Sequence, residues 1–183
     1  MIERRLYIGY KESDLYIKGH ESVITASLAY YKDMVILYYE CRNDVSPKEI
    51  VQGNMRKFPD GEEWFKTAEI FHYYSIDNEE KWCRKIKKKT PIFHINFLLE
   101  DKISSYIHHH YLHQSGNQYD CDRYLSMFIY KNMVIMYGES PVEKVLYKEI
   151  KDKVNIPCPE NWVELMNEHF KENEDGEKGW IRI

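Results

Sequence analysis

The densest run of chemistry-bearing side chains is Ser104-Ser105-Tyr106-Ile107-His108-His109-His110, with His113 three residues further on. From Glu100 to about Gln114 the spacing is helical, and it places Ile103, Tyr106, Ile107 and His110 on one stripe. One turn separates Tyr106 from His110, so both can reach a single ligand. An imidazole titrates near neutrality, which suits His110, aided by the Tyr106 phenol, to general acid–base catalysis. The plainer alternative is that both are core residues holding the helix to its sheet. His109 with His113, or His110 with His113, also has the spacing of a chelating pair. No Glu lies between them, no third ligand is evident, and consecutive histidines point in different directions. The reading is therefore no metal and no cofactor.

These residues need a scaffold. Ile92 to Phe97 alternates, with Phe93, Ile95 and Phe97 on one face of a strand and His94 and Asn96 on the other. His94 and Asn96 are thus candidate hydrogen-bonding partners for a ligand. After the helix comes a polar loop at 115–118, then Tyr124–Tyr130, Lys131-Asn132 and Met133–Glu139, which read as a β-hairpin. Helices are expected at Val142–Ile150 and Glu160–Phe170, with Pro159 near the first turn of the second.

The same order occurs earlier in the chain. Tyr31 to Glu40 returns as Tyr130 to Glu139 with seven of ten positions identical, and the stretch from Pro59 to Trp64 is echoed by Pro157 to Trp162. Two matches in one order at nearly one offset indicate internal duplication. The first copy has a strand at Leu6–Tyr10, a hairpin of Val23–Tyr31 and Met34–Cys41 around Lys32-Asp33, and expected helices at Glu49–Met55 and Glu62–Tyr74. Gly19 and a short connection leave its first helix shrunken or absent. The expected organisation is a first repeat over 1–77, a linker helix at Asn78–Lys89 within 78–90, and a second repeat over 91–183 ending in an edge strand at Gly179–Ile183.

A module of this size makes one antiparallel sheet with helices on one face only. Its other face is rich in tyrosine and aliphatic residues, and a soluble protein rarely leaves so large an apolar area exposed. Packing the two copies sheet to sheet solves the problem. The expected fold is α+β: a tandem duplication of a ferredoxin-like module forming an intramolecular barrel, with ligand sites beside the sheets.

This order of elements resembles the dimeric α+β barrel superfamily, and the second half, over roughly 91–170, is similar to the L-rhamnose mutarotase family. The resemblance is carried by Tyr106 and His110 at Tyr-x-x-x-His, by Tyr124 on the first hairpin strand, and by Asn161 to Met166, whose Trp162 sits in the last helix. It implies a sugar isomerase. Opening and reclosing a hemiacetal needs one group to protonate the ring oxygen and another to take the anomeric hydroxyl proton, roles for His110 and Tyr106. Tyr124 would supply a hydroxyl and Trp162 a flat platform for a sugar ring, although a tryptophan there also serves as a core anchor. Here the helix runs on as Tyr111-Leu112-His113-Gln114 where the family has a Pro and Trp segment. Two further readings stay open: a non-catalytic ligand-binding or regulatory module, and a monooxygenase-like or haem-binding relative with His110 or His94 as haem ligand.

Composition narrows the classes. The 183 residues are 43% hydrophobic and 31% charged with net charge −4, which suits a folded soluble protein and argues against a nucleic-acid partner. Lys85, Lys87, Lys88 and Lys89 read as the solvated end of a helix. Sixteen tyrosines and seven phenylalanines predict an aromatic core. Cys41, Cys83, Cys121 and Cys158 are too dispersed for a disulfide framework or zinc site. With no signal-like start and no apolar run approaching the roughly 18 residues of a membrane span, the expectation is a cytoplasmic protein. Its expected partner is a small molecule of the monosaccharide class, and its expected state a monomeric pseudo-dimer or weak homodimer.

Overall fold

A computed structural model describes residues 1–73, 90–114, 124–140, 161–174 and 176–183. The helices expected at Asn78–Lys89 and Val142–Ile150 lie outside the described residues. The chain divides into two compact units, Met1–Ala68 and Glu69–Arg182. Both are antiparallel sheets with few helices, so the fold is α+β and mostly sheet.

In the first unit β1 (Glu3–Lys11) pairs with β4 (Met34–Cys41), which pairs with β3 (Val23–Tyr31). The hairpin turns at Lys32-Asp33 as the sequence predicts, with Lys32 left-handed at φ 57°. A short β2 (Tyr16–Ile17) stands between β1 and β3, with no helix there. β4 is buried on both faces, as its near-continuous apolar run requires. One face, carrying Val35, Leu37, Tyr39 and Cys41, packs against Leu15, Ile50, Met55 and Trp64. The opposite face carries Leu6, Ile8, Ile36, Tyr38 and Glu40, all with zero exposure.

Two expected helices are corrected here. Glu49–Met55 is helical only as α1 (Pro47–Ile50), then extended as β5 (Val51–Gln52) and β6 (Met55–Arg56). Gly53 explains the stop: its φ is 137°, and a Cβ there would lie 2.6 Å from the Asp14 carbonyl oxygen. Glu62–Tyr74 is not helical but forms β7 (Phe65–Lys66) and β8 (Ala68–Tyr73). β7 pairs with β1, and the Thr67 backbone N–H and hydroxyl both donate to the Leu6 carbonyl, at 2.9 and 2.8 Å. Thr67, Ile70 and Phe71 are residues that fit a pleated surface, and open strand edges outweighed a helical spacing.

In the second unit the sheet order is β12-β9-β11-β10-β8, with β9 (Thr90–Phe97), β10 (Tyr124–Tyr130), β11 (Met133–Ser140) and β12 (Ile181–Arg182). The β10–β11 hairpin turns at Lys131-Asn132, again with its lysine left-handed, at φ 55°. β12 is the edge strand expected at the chain end. A 3-10 turn (Glu100–Lys102) leads into α2 (Ile103–Gln114), and α3 (Trp162–Asn167) lies within the expected last helix. One sheet face, with Met127 and Val134, packs on Tyr106, Met166 and Phe170. The other carries Phe93, Ile95, Phe128, Ile135 and Tyr137, all buried.

Candidate functional site

One chain crossing places the site in the second unit. Leu98 bridges to Phe170, the Leu99 N–H donates to the His169 carbonyl at 2.9 Å, and the Lys171 N–H donates to the Phe97 carbonyl at 2.8 Å. These bonds pin the segment after α3 alongside the entry to α2. His169 is thereby held next to Ser105 and Tyr106 on the first turn and a half of α2.

The His169 ring is fixed at both nitrogens. Its Nδ1 lies 2.7 Å from the Leu165 carbonyl, which can only accept, so Nδ1 carries the proton. In the neutral ring Nε2 is then an acceptor, and Ser105 Oγ donates to it at 2.8 Å. The result is a hydroxyl, an imidazole and an orienting carbonyl in series, with His169 only 3% exposed. This is the arrangement by which a histidine takes a proton from, or returns it to, a neighbouring hydroxyl.

Tyr106 stands between this relay and His110. Its ring centroid is 4.6 Å from His110 and 6.0 Å from His169, both edge-on, and 5.8 Å from Phe170. Phe71 of β8 meets His110 from the sheet side at 5.8 Å. The expected pairing of Tyr106 with His110 is therefore present, at 1% and 5% exposure. His109, one residue along, approaches His169 at 5.4 Å.

His94 and Asn96 alternate onto the helix-covered face, opposite Met136 and Val134 of β11, with Arg182 of β12 beside His94. Asn96 is 2% exposed. Its Oδ1 accepts the Phe97 N–H at 2.8 Å, while its Nδ2 is buried with no acceptor among the described residues. A buried donor without an acceptor costs about 1–3 kcal/mol, so Asn96 is equipped to hold an oxygen of a ligand. Tyr124 opens β10 in register with Glu139, away from the positions of His94 and Asn96, and Trp162 opens α3. The side chains of these two lie outside the described residues.

Sequence reasoning missed Ser105 and His169. Ser105 stood directly before the Tyr-x-x-x-His motif without a role of its own, and His169 fell at the end of the expected last helix, but no spacing connects positions 64 residues apart. The His169 nitrogens are both engaged by protein groups. Among the described residues no three His, Cys, Asp or Glu side chains gather as a metal site.

A second polar feature lies on the opposite sheet face. Tyr137 Oη donates to Glu139 Oε1 at 2.6 Å, and Ser126 Oγ meets His72 Nδ1 at 2.8 Å. In the first unit Tyr38 Oη donates to Glu40 Oε1, also at 2.6 Å. The first unit also buries Arg5, which holds Glu3 and Asp44 at 2.5 Å each. The Arg5 hydrogen bond keeps the Glu3 carboxyl below its ordinary range. Burial pushes the Cys41 thiol and the Tyr39 hydroxyl upward.

The chain matches no protein-family model, no curated protein and no solved structure.

Proposed function

We propose that this chain is two copies of one α+β module, residues 1–77 and 91–183, packed through the sheet faces that carry Tyr38 and Tyr137. In this reading it is a one-chain relative of the dimeric α+β barrels. Four features support duplication. The strand order β3-β4-β1 in the first sheet corresponds to β10-β11-β9 in the second. The registers correspond as well, Leu6 with Tyr38 and Ile8 with Ile36 against Phe93 with Tyr137 and Ile95 with Ile135. Both hairpins turn on a left-handed lysine, and both sheets bury a tyrosine–glutamate pair at the same register position. Burial of the faces away from the helices and loops supports packing through them.

The proposed activity is acid–base isomerisation of a small polyhydroxylated ligand, of the mutarotase kind, at the helix-covered face of the second sheet. The observation that carries it is the Ser105–His169–Leu165 relay set against Tyr106 and His110. Mutarotation needs two proton-handling groups, and His110 and the Ser105–His169 pair supply them on either side of Tyr106. Asn96 Nδ2 donates to a ligand oxygen, and Phe71 and Phe170 provide apolar walls. A cytoplasmic location suits such a substrate.

Saturation-transfer NMR of L-rhamnose and L-fucose measures the reaction directly. The expected result is anomer exchange accelerated over buffer, reduced about 10²–10⁴-fold by His110→Ala or His169→Ala in folded protein. Absence of acceleration for both sugars refutes the catalytic reading. The burial of His110 between two rings favours a second reading, a module that binds the ligand without chemistry. It predicts chemical-shift changes on sugar addition with no change in exchange rate.

A further inference from the structure

The edge strand β12 adds groups to the helix-covered face of the second sheet that the relay does not use. Arg182 stands opposite His94 in register, so the two side chains leave the sheet on the same face. Asn96, two residues along β9, lies diagonal to Arg182 on that face, about 7–8 Å away between backbones and within reach of a long side chain. Trp180, half-buried, packs into the core of the same face and meets Phe170 edge-on at 5.9 Å. Phe170 in turn stands against Tyr106, so β12 adjoins the relay.

Arg182 and Asn96 offer donors here. Arg182 is exposed and forms an ion pair with no carboxylate among the described residues. Asn96 Nδ2 is buried without an acceptor among those residues, and its Oδ1 is taken by the Phe97 N–H at 2.8 Å. A sugar hydroxyl brings a proton as well as lone pairs, whereas a carboxylate or phosphate oxygen brings lone pairs alone. A guanidinium fork beside a buried amide N–H therefore matches an oxyanion. The sheet edge lets the charge stay partly hydrated while the buried N–H meets one of its oxygens, which avoids the cost of burying an ion outright.

We propose that Arg182 and Asn96 form an oxyanion subsite, and that the ligand is an acid sugar carrying a carboxylate or a phosphate. This rests on the sugar reading above and narrows it. The charged group sits at the β12 edge between the guanidinium and Asn96 Nδ2, with His94 alongside. The sugar ring extends past Trp180 toward Tyr106, where the proton-handling groups stand.

Isothermal titration calorimetry at low salt compares D-galacturonate with D-galactose, D-glucose 6-phosphate with D-glucose, and inorganic phosphate alone. At least one acid sugar should bind about ten- to a hundredfold tighter than its neutral parent, as hydrogen bonds to a charged group imply. Which of the two does so tells a carboxylate ligand from a phosphate one. Arg182→Gln should erase the difference, and circular dichroism checks that this change at an exposed position leaves the fold intact. Equal affinity for acid and neutral sugars, or a preference that survives Arg182→Gln, overturns the subsite and leaves the sugar reading standing. Phosphate binding that is lost in Arg182→Gln, without binding of any sugar, keeps the subsite and removes the sugar. Binding of none of the three anions overturns the subsite, whatever the exchange assay shows for neutral sugars.

Discussion

Removing one oxygen from each sheet tests the correspondence of the two units. Tyr38→Phe and Tyr137→Phe keep the ring and its packing and delete the hydroxyl that donates to Glu40 or Glu139 at 2.6 Å. Glu40 and Glu139 are 0% and 2% exposed, so bulk water has little access to replace the lost donor. Removing one partner of a buried hydrogen bond costs about 1–3 kcal/mol. For a chain of this size each kcal/mol moves the midpoint by about 2–4 °C, so each variant should melt roughly 2–12 °C lower. Urea unfolding followed by circular dichroism should show lower midpoints at unchanged slope. The specific content is equality: register-equivalent bonds in equivalent sheets should lose the same amount to within about 0.5 kcal/mol. A loss below that figure in either variant, or a large loss in one alone, refutes the reasoning.

Two further tests concern the first unit. A Cβ at Gly9 would lie 2.9 Å from the Glu63 carbonyl oxygen, 2.2 Å from Met55 Cε and 3.2 Å from Trp64 Cε3. Gly9→Ala must therefore lift the loop off the sheet, at a cost of about 1–3 kcal/mol that outweighs the gain from a stiffer unfolded chain; an equally stable variant in the same urea assay contradicts this packing. Burial raises the folded-state pKa of Cys41 and Tyr39 above their unfolded values of 9.0 and 10.0. The unfolded chain then releases these protons first, so stability is fully present below about pH 9 and declines as pH rises beyond it. Cys41→Ala should remove the part that begins near pH 9, and an unchanged alkaline profile in that variant would exclude the thiol as its source.

The sequence alone determined the features that depend on near neighbours. Strand alternation and a two-residue turn are short-range signals, so both hairpins, the two faces of β9 and the Tyr106–His110 stripe were legible at residue resolution. Only tertiary structure decided the rest. Residues 65–73 have a spacing compatible with a helix, but they became β7 and β8 because β1 and β10 offered edges whose backbone groups needed partners. His169 met Ser105 because the segment after α3 is tied to the chain at 97–99, a closure across more than 60 residues that no local pattern encodes. The depth at which His110 lies was likewise set by Phe71, contributed by a strand that the sequence had presented as a helix. Period and turn chemistry act within a few residues, whereas burial and hydrogen-bond partners depend on where the whole chain returns.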